Sequence, residues 1–183
     1  MKTEITYFEK SGEDNTSDVL AIALKRYQQG DIDAIVIASS FGKTAKMAVD
    51  VFAGEKVPLL IVGEVLEGKQ SPPPEVCKSL ITKGHQVIWG LPMGAMSKFS
   101  RNDTPALIAD AYRRVSEGFK VVCEIVLIAT SSGYLQAGQK VLSIAGTHSG
   151  ADTAVVARAA GYGDFKAFQV HEILCKPYQR SAV

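Results

Sequence analysis

Cysteine is scarce in this sequence. Cys77, Cys123 and Cys175 are an odd number, lie far apart and form no C-x-x-C pair, so neither a disulfide framework nor a zinc site is expected. An excess of one charge is missing as well. Twenty Lys and Arg against nineteen Asp and Glu leave a net charge of +1, too little for the basic field of a non-specific nucleic-acid binder. No apolar run reaches the length of about 18 residues that a membrane span needs. The start, Met1-Lys2-Thr3-Glu4, carries charge where a signal peptide would be apolar. No Ser-His-Asp order with supporting motifs, no cluster of metal ligands and no usefully spaced carboxylate pair is present. The chain therefore reads as soluble and cytoplasmic, with neither nucleic acid nor membrane among its partners. With 46% hydrophobic and 21% charged residues the composition is that of an ordinary globular protein. A length of 183 residues, without repeat or linker, predicts one domain over 1–183 that needs no disulfide or metal.

The pattern along the chain alternates strand and helix. Ile5 to Phe8 predicts a short strand, and the cap-forming cluster Asn15-Thr16-Ser17-Asp18 precedes a helix with Val19, Leu20, Ala23, Leu24 and Tyr27 at helical spacing. Asp33 to Ala38 and Val57 to Val62 are β-branched runs of the kind buried on both faces. Between them lies a helix with Ala45, Met47, Ala48, Val51 and Phe52. Gly63 to Pro74 is expected to be a loop, followed by a helix with Val76, Leu80 and Ile81 and a strand His85 to Trp89. Gly90 to Asp103 has no period and is long for a connector, which marks functional loops. Thr104-Pro105 predicts a helix start with Thr104 as the cap; its stripe is Leu107, Ile108, Ala111, Tyr112 and Val115, and Gly118 is expected to end it. Phe119 to Thr130 is assigned to a buried helix, Lys140 to Ala145 to a buried strand, and Asp152 to Ala159 and Phe168 to Leu174 to late antiparallel strands. The expected fold is a three-layer α/β/α sandwich on a mostly parallel sheet.

The strongest local signal is Ile37-Ala38-Ser39-Ser40-Phe41-Gly42-Lys43-Thr44-Ala45, at the carboxyl end of a strand and the start of a helix. Open α/β sheets bind ligands at that edge, and a helix start offers unpaired N–H groups and the positive end of a dipole to a phosphate. Gly42 permits close backbone approach, Ser39, Ser40 and Thr44 add hydroxyls, and Lys43 adds charge. The tail Gly42-Lys43-Thr44 resembles a Walker A motif, but Ile37 stands where its first glycine belongs, which excludes that loop. The alternative is plain N-capping by Ser39 or Ser40. Three further segments should meet at the same edge: Gly12 to Thr16, the loop carrying Lys98, Phe99, Arg101 and Asn102, and Gly146-Thr147-His148-Ser149-Gly150-Ala151-Asp152. The last of these is equally a glycine turn in which Asp152 satisfies local N–H groups. Together these segments suit a flat, partly apolar, phosphorylated ligand. Glu124 sits inside an apolar dozen and must pair, hydrogen-bond or protonate; a site role and a structural Lys or Arg partner both remain open. His171 and Glu172 fall on opposite faces of a strand and form no dyad.

The segment Asp33 to Ala45, preceded by a helix and followed by Val57 to Val62, resembles the carboxyl-terminal domain of pyruvate kinase. There the equivalent loop holds a phosphate of the allosteric sugar bisphosphate. Over nearly the whole chain the sequence is similar to the stand-alone pyruvate kinase C-terminal-domain-like proteins. Tyr7-Phe8-Glu9 with Asn15-Thr16, the Ser39 to Ala45 loop and Asn102 to Pro105 carry that resemblance. So do Gly118 to Val121 with Glu124-Ile125, and Gly146-Thr147 with Gly150 to Thr153. The resemblance implies a three-layer α/β/α fold and a bound flavin mononucleotide (FMN). It implies no kinase activity, because pyruvate kinase catalyses in a barrel domain that this similarity does not include. Phe41 is bulky for the anion loop, and His148-Ser149 stands where small or aromatic residues are expected. The candidate ligand-binding residues are accordingly Asn15, Thr16, Ser39, Ser40, Phe41, Gly42, Lys43, Thr44, Arg101, Asn102, Glu124, Gly146 and Thr147. The partner is a small phosphorylated molecule, with a homo-oligomer left open. The alternatives are a non-catalytic sensor of a phosphorylated metabolite and a structural oligomerising module.

Overall fold

The computed structural model describes residues 3–66, 69–70, 72–96 and 103–179. In chain order these form β1 (Thr6–Phe8), α1 (Thr16–Tyr27), β2 (Ala34–Ala38), α2 (Lys43–Val51), β3 (Leu59–Leu66), β4 (Lys69–Gln70), α3 (Pro74–Thr82), β5 (Gln86–Gly90), α4 (Met93–Met96), α5 (Thr104–Arg113), α6 (Glu117–Ser131), β6 (Lys140–Ala145), β7 (Thr153–Arg158) and β8 (Gln169–Pro177). Single 3-10 turns cover Glu13–Asn15 and Tyr162–Ala167. The main sheet runs β1-β8-β7-β6-β2-β3-β5, and β4 pairs only with the far end of β3. Four of its six pairings are parallel; β7 alone runs against the other main strands, so both late pairings are antiparallel while β8 and β1 are parallel.

The alternation of the strands explains the layers. In β2, Ile35 and Ile37 face one way and join Val19 and Leu20 of α1, Ala45 and Ala48 of α2, and Val76 and Leu80 of α3 in one core. Val36 faces the other way, with Leu60, Val62 and Ile88, against Ile125, Val126 and Ile128 of α6. Both faces of β2 are covered, which is why it reads as an unbroken β-branched run. The second face is itself covered in depth: Leu127 of α6 packs on Met93 of α4 and Ala109 of α5. A helix enclosed by sheet on one side and helices on the other is apolar almost all round, so α6 matches the expected buried helix.

Four details differ from the sequence reading. The strand beginning at Leu59 continues to Leu66 and pairs antiparallel with β4, so Gly63 to Pro74 is not a plain loop. The Gly90 to Asp103 stretch contains α4, and its residues 97–102 lie outside those described. Asp103, not Thr104, occupies the cap position of α5, and Leu107 and Ala111 face solvent while Ala109 is buried. Gly118 does not end that helix. It lies in the first turn of α6, whose cap is Ser116: its Oγ accepts the Phe119 N–H at 2.9 Å. Glycine is needed at 118 because a Cβ there would stand 2.4 Å from Asp152 Oδ1 and 2.3 Å from Thr153 Oγ1.

Connectivity creates one special edge. From β2 the chain steps outward through α2 to β3 and through α3 to β5, with those helices on one face. It then returns by way of α6, on the opposite face, to place β6 on the other side of β2. The strand order reverses between β2 and β6, and the loops leaving their carboxyl ends diverge to opposite faces. A crevice at such a switch point is the general ligand position of open parallel sheets.

Candidate functional site

That crevice is a cavity of about 710 Å³, walled by the loops after β2 and β6, the end of β3, and the α5–α6 corner. Ser39, Ser40, Phe41, Lys43, Thr44, Gly146 and Thr147 all line it. So do Glu13, Glu64, Arg113, Glu117, Lys120 and the His148–Gly150 turn.

The β2–α2 loop is shaped by Gly42. Its φ of 84° is left-handed, a region costly to a side chain. A Cβ there would also lie 2.4 Å from Val76 Cγ1. Gly42 thus serves packing on α3 as well as the turn. Ser39 Oγ accepts the Ala45 N–H at 3.2 Å, and Lys46 N–H reaches the Gly42 carbonyl. Ser39 is therefore the capping hydroxyl that the plainer reading allowed. It satisfies only one of the donors at the helix start. Among the described residues no acceptor meets the N–H of Lys43 or Thr44, and both residues lie in the cavity wall. The contrast with α6 is chemical: there Ser116 caps the helix and a buried carboxylate, Asp152, stands against the first turn.

The opposite wall is stitched from within. Asp152 is fully buried, and its Oδ2 accepts the N–H of Gly12 at 2.9 Å and of Thr147 at 3.1 Å. Its Oδ1 accepts the Thr153 hydroxyl at 2.7 Å. The glycine-turn reading of 146–152 is thus correct in its hydrogen bonds, and the same turn forms a cavity wall. His148 adopts a left-handed φ of 61° within it. Asn15 and Thr16 stand behind this wall. Asn15 donates to the carbonyls of Lys10 and Gly12, while Thr16 Oγ donates to Glu13 O and accepts the Ala151 N–H. Their polar groups hold the two loops together; neither residue lines the cavity. Arg101 and Asn102 lie outside the described residues.

The cations of the wall are already paired. Lys43 Nζ lies 3.2 Å from Glu13 Oε2, and Arg113 meets Glu117 at 2.9 Å and Asp110 at 2.8 Å. Lys120, one turn before Glu124, reaches Glu124 Oε2 at 2.7 Å, with both side chains buried. Glu124 Oε1 also accepts the Met93 N–H. Burial raises the Glu124 carboxyl above its usual range, against the opposing pull of Lys120. Of the two options for Glu124, the geometry shows the structural partner; it holds a cavity-lining lysine and does not itself line the cavity.

Several wall residues escaped the sequence reading. Glu64 did so because β3 runs further than its apolar part. Arg113 and Glu117 straddle the junction of α5 and α6, where the sequence pattern predicts a single helix running to Gly118. Lys120 was legible in principle as the i−4 neighbour of Glu124. Glu13 falls within the Gly12 to Thr16 segment expected at this edge, but nothing singled it out there, since its partners Lys43 and Ser149 are 30 and 136 residues away. No family model matches the sequence. Among the described residues no group of three or more His, Cys, Asp or Glu is disposed to hold a metal ion. None of the described helices is long and apolar enough to cross a membrane.

Proposed function

We propose that this protein binds a phosphorylated small molecule at the crevice between β2 and β6, with the phosphate at the start of α2. The observation that carries the proposal is the pair of N–H groups at Lys43 and Thr44, which lack acceptors among the described residues while lining a nucleotide-sized cavity. Ser40, Thr44 and Thr147 add polar side chains to the same wall.

FMN is the ligand we favour, in keeping with the resemblance to stand-alone pyruvate kinase C-terminal-domain-like proteins. The residues present suit it. Phe41 is 74% exposed at the rim and offers an aromatic face to a flat ring, with Ala38 and Val121 as apolar wall. Glu64 and Glu117 offer acceptors to hydroxyl or ring N–H donors. When bound, the flavin would supply redox chemistry; the chain's own residues would bind and orient it. A second reading, a sensor of a sugar phosphate, is favoured by the same carboxylates, since they suit a hydroxyl-rich ligand.

Mass spectrometry and the visible spectrum of whatever co-purifies separate these readings directly. Titration with FMN, riboflavin and a sugar monophosphate then tests the phosphate. FMN should bind and riboflavin, which lacks the phosphate, should bind far more weakly. Lys43→Ala with Thr44→Ala should weaken FMN by about tenfold or more, the order set by losing charged and hydroxyl partners of an anion. Equal affinity for FMN and riboflavin would place the phosphate elsewhere. Binding of the sugar phosphate alone would establish the sensor.

A further inference from the structure

The cavity has a built-in anion beside its open helix start. Glu13 Oε2 lies 3.2 Å from Lys43 Nζ and accepts the Ser149 hydroxyl at 3.2 Å, and this company holds its carboxyl below the usual range, with Lys43 the leading cause. Its backbone is fixed too. The Glu13 carbonyl accepts the Thr16 hydroxyl. Gly150 packs so closely that a Cβ there would stand 2.3 Å from Glu13 Cα. The adjacent Gly12 N–H is anchored on buried Asp152. The backbone of Glu13 therefore cannot move without breaking the seam between the two loops, and Lys43 and Ser149 hold its exposed carboxylate beside the start of α2.

The charges lining the cavity balance. Lys43, Arg113 and Lys120 face Glu13, Glu64 and Glu117, and each of those cations already has a carboxylate partner. What remains for a ligand anion is the neutral donor set at the start of α2, with the exposed Lys43 shared between the ligand and Glu13. Such a set, with the positive end of one helix, suits a single phosphate group. A second phosphate beside it would meet Glu13 and find no described cation without a partner.

We propose that Glu13 is a specificity-determining residue that restricts the site to phosphomonoesters and disfavours diphosphates. The inference rests on the phosphate position proposed above and adds the charge the site accepts. Inorganic phosphate and inorganic pyrophosphate, titrated calorimetrically at pH 8 into wild type and Glu13→Gln, test it. Glu75→Gln, an exposed change on α3, controls for net charge. Removing one unit charge a few ångströms away should strengthen pyrophosphate by about tenfold and phosphate by about fourfold, because at this pH the first carries about one and a half times the charge. The control should move neither. Equal factors for the two anions, no change, or weaker binding in Glu13→Gln would overturn the specificity role and leave the phosphate site standing. Failure of both anions to bind any of the three proteins would overturn the site itself, and the inference with it.

Discussion

At the scale of single residues, two positions determine whether the crevice keeps its shape. Gly42 combines a left-handed backbone with contact on Val76. Gly42→Ala should cost about 1–2 kcal/mol for the backbone and about 1–3 kcal/mol for overpacking against a branched, stiff side chain. Adding Val76→Ala should recover the second part and not the first, as chemical denaturation of the single and double variants will show. Asp152 is the other position. Its carboxylate serves two backbone N–H groups and a hydroxyl from full burial. Asp152→Ala leaves those donors without an acceptor and should destabilise by about 3 kcal/mol. Ligand affinity should fall along with stability, because the loops that Asp152 joins include Glu13 and Thr147. Full stability in Asp152→Ala would show that the seam is not what holds the wall.

At the scale of elements, α6 unites a core role with a cavity role. Its apolar residues join three hydrophobic clusters, while Lys120 and Glu124 place a buried ion pair next to the crevice. Breaking such a pair from one side is worse than replacing it whole. Glu124→Ala should therefore cost about 3–5 kcal/mol by leaving Lys120 buried without its partner, whereas Lys120→Met with Glu124→Gln, which keeps an acceptor for the Met93 N–H, should lose much less. The pH dependence has a definite sign. Burial raises the Glu124 carboxyl, so the folded state retains a proton there that the unfolded chain releases near pH 4. The stability linked to this proton is complete below that pH and is lost as pH rises through the raised value. Urea titrations between pH 4 and 8 should show that decline in wild type and a flatter profile in Glu124→Gln. Much of this element was readable beforehand: a dozen apolar residues closed by Gly133, with one carboxylate that had to find a partner. The start of the helix was not, because Gly118 looks like a terminator and owes its place to Asp152, 34 positions later. The same limit applies to the site. The strand–loop–helix around Gly42 is local chemistry and is visible in sequence. Glu13, Glu64 and Arg113 reach the cavity only because the sheet order brings distant loops together.

At the scale of the molecule, the order of the strands sets both where the protein is rigid and where a ligand can act. β2 and β6 are interior strands paired on both sides, and the crevice opens at their carboxyl ends. β1 is three residues long and pairs on one side only among the described residues, and β5 likewise pairs only with β3. Opening an interior strand disrupts the cores on both faces, whereas an edge strand can fray alone. Hydrogen exchange should therefore find the amides of Val36, Ile37, Leu142 and Ile144 protected to the level of global unfolding, with those of β1 exchanging by local opening. A bound phosphomonoester stabilises the native state by mass action, which slows every amide that exchanges by global unfolding. At Lys43 and Thr44 it should do more, since the ligand would itself become their acceptor. FMN or inorganic phosphate should slow exchange there beyond the general effect and leave β1 fraying as before. Slowing in β1 equal to that at Lys43 and Thr44 would mean that the occupant does not sit at the switch point, even if it binds.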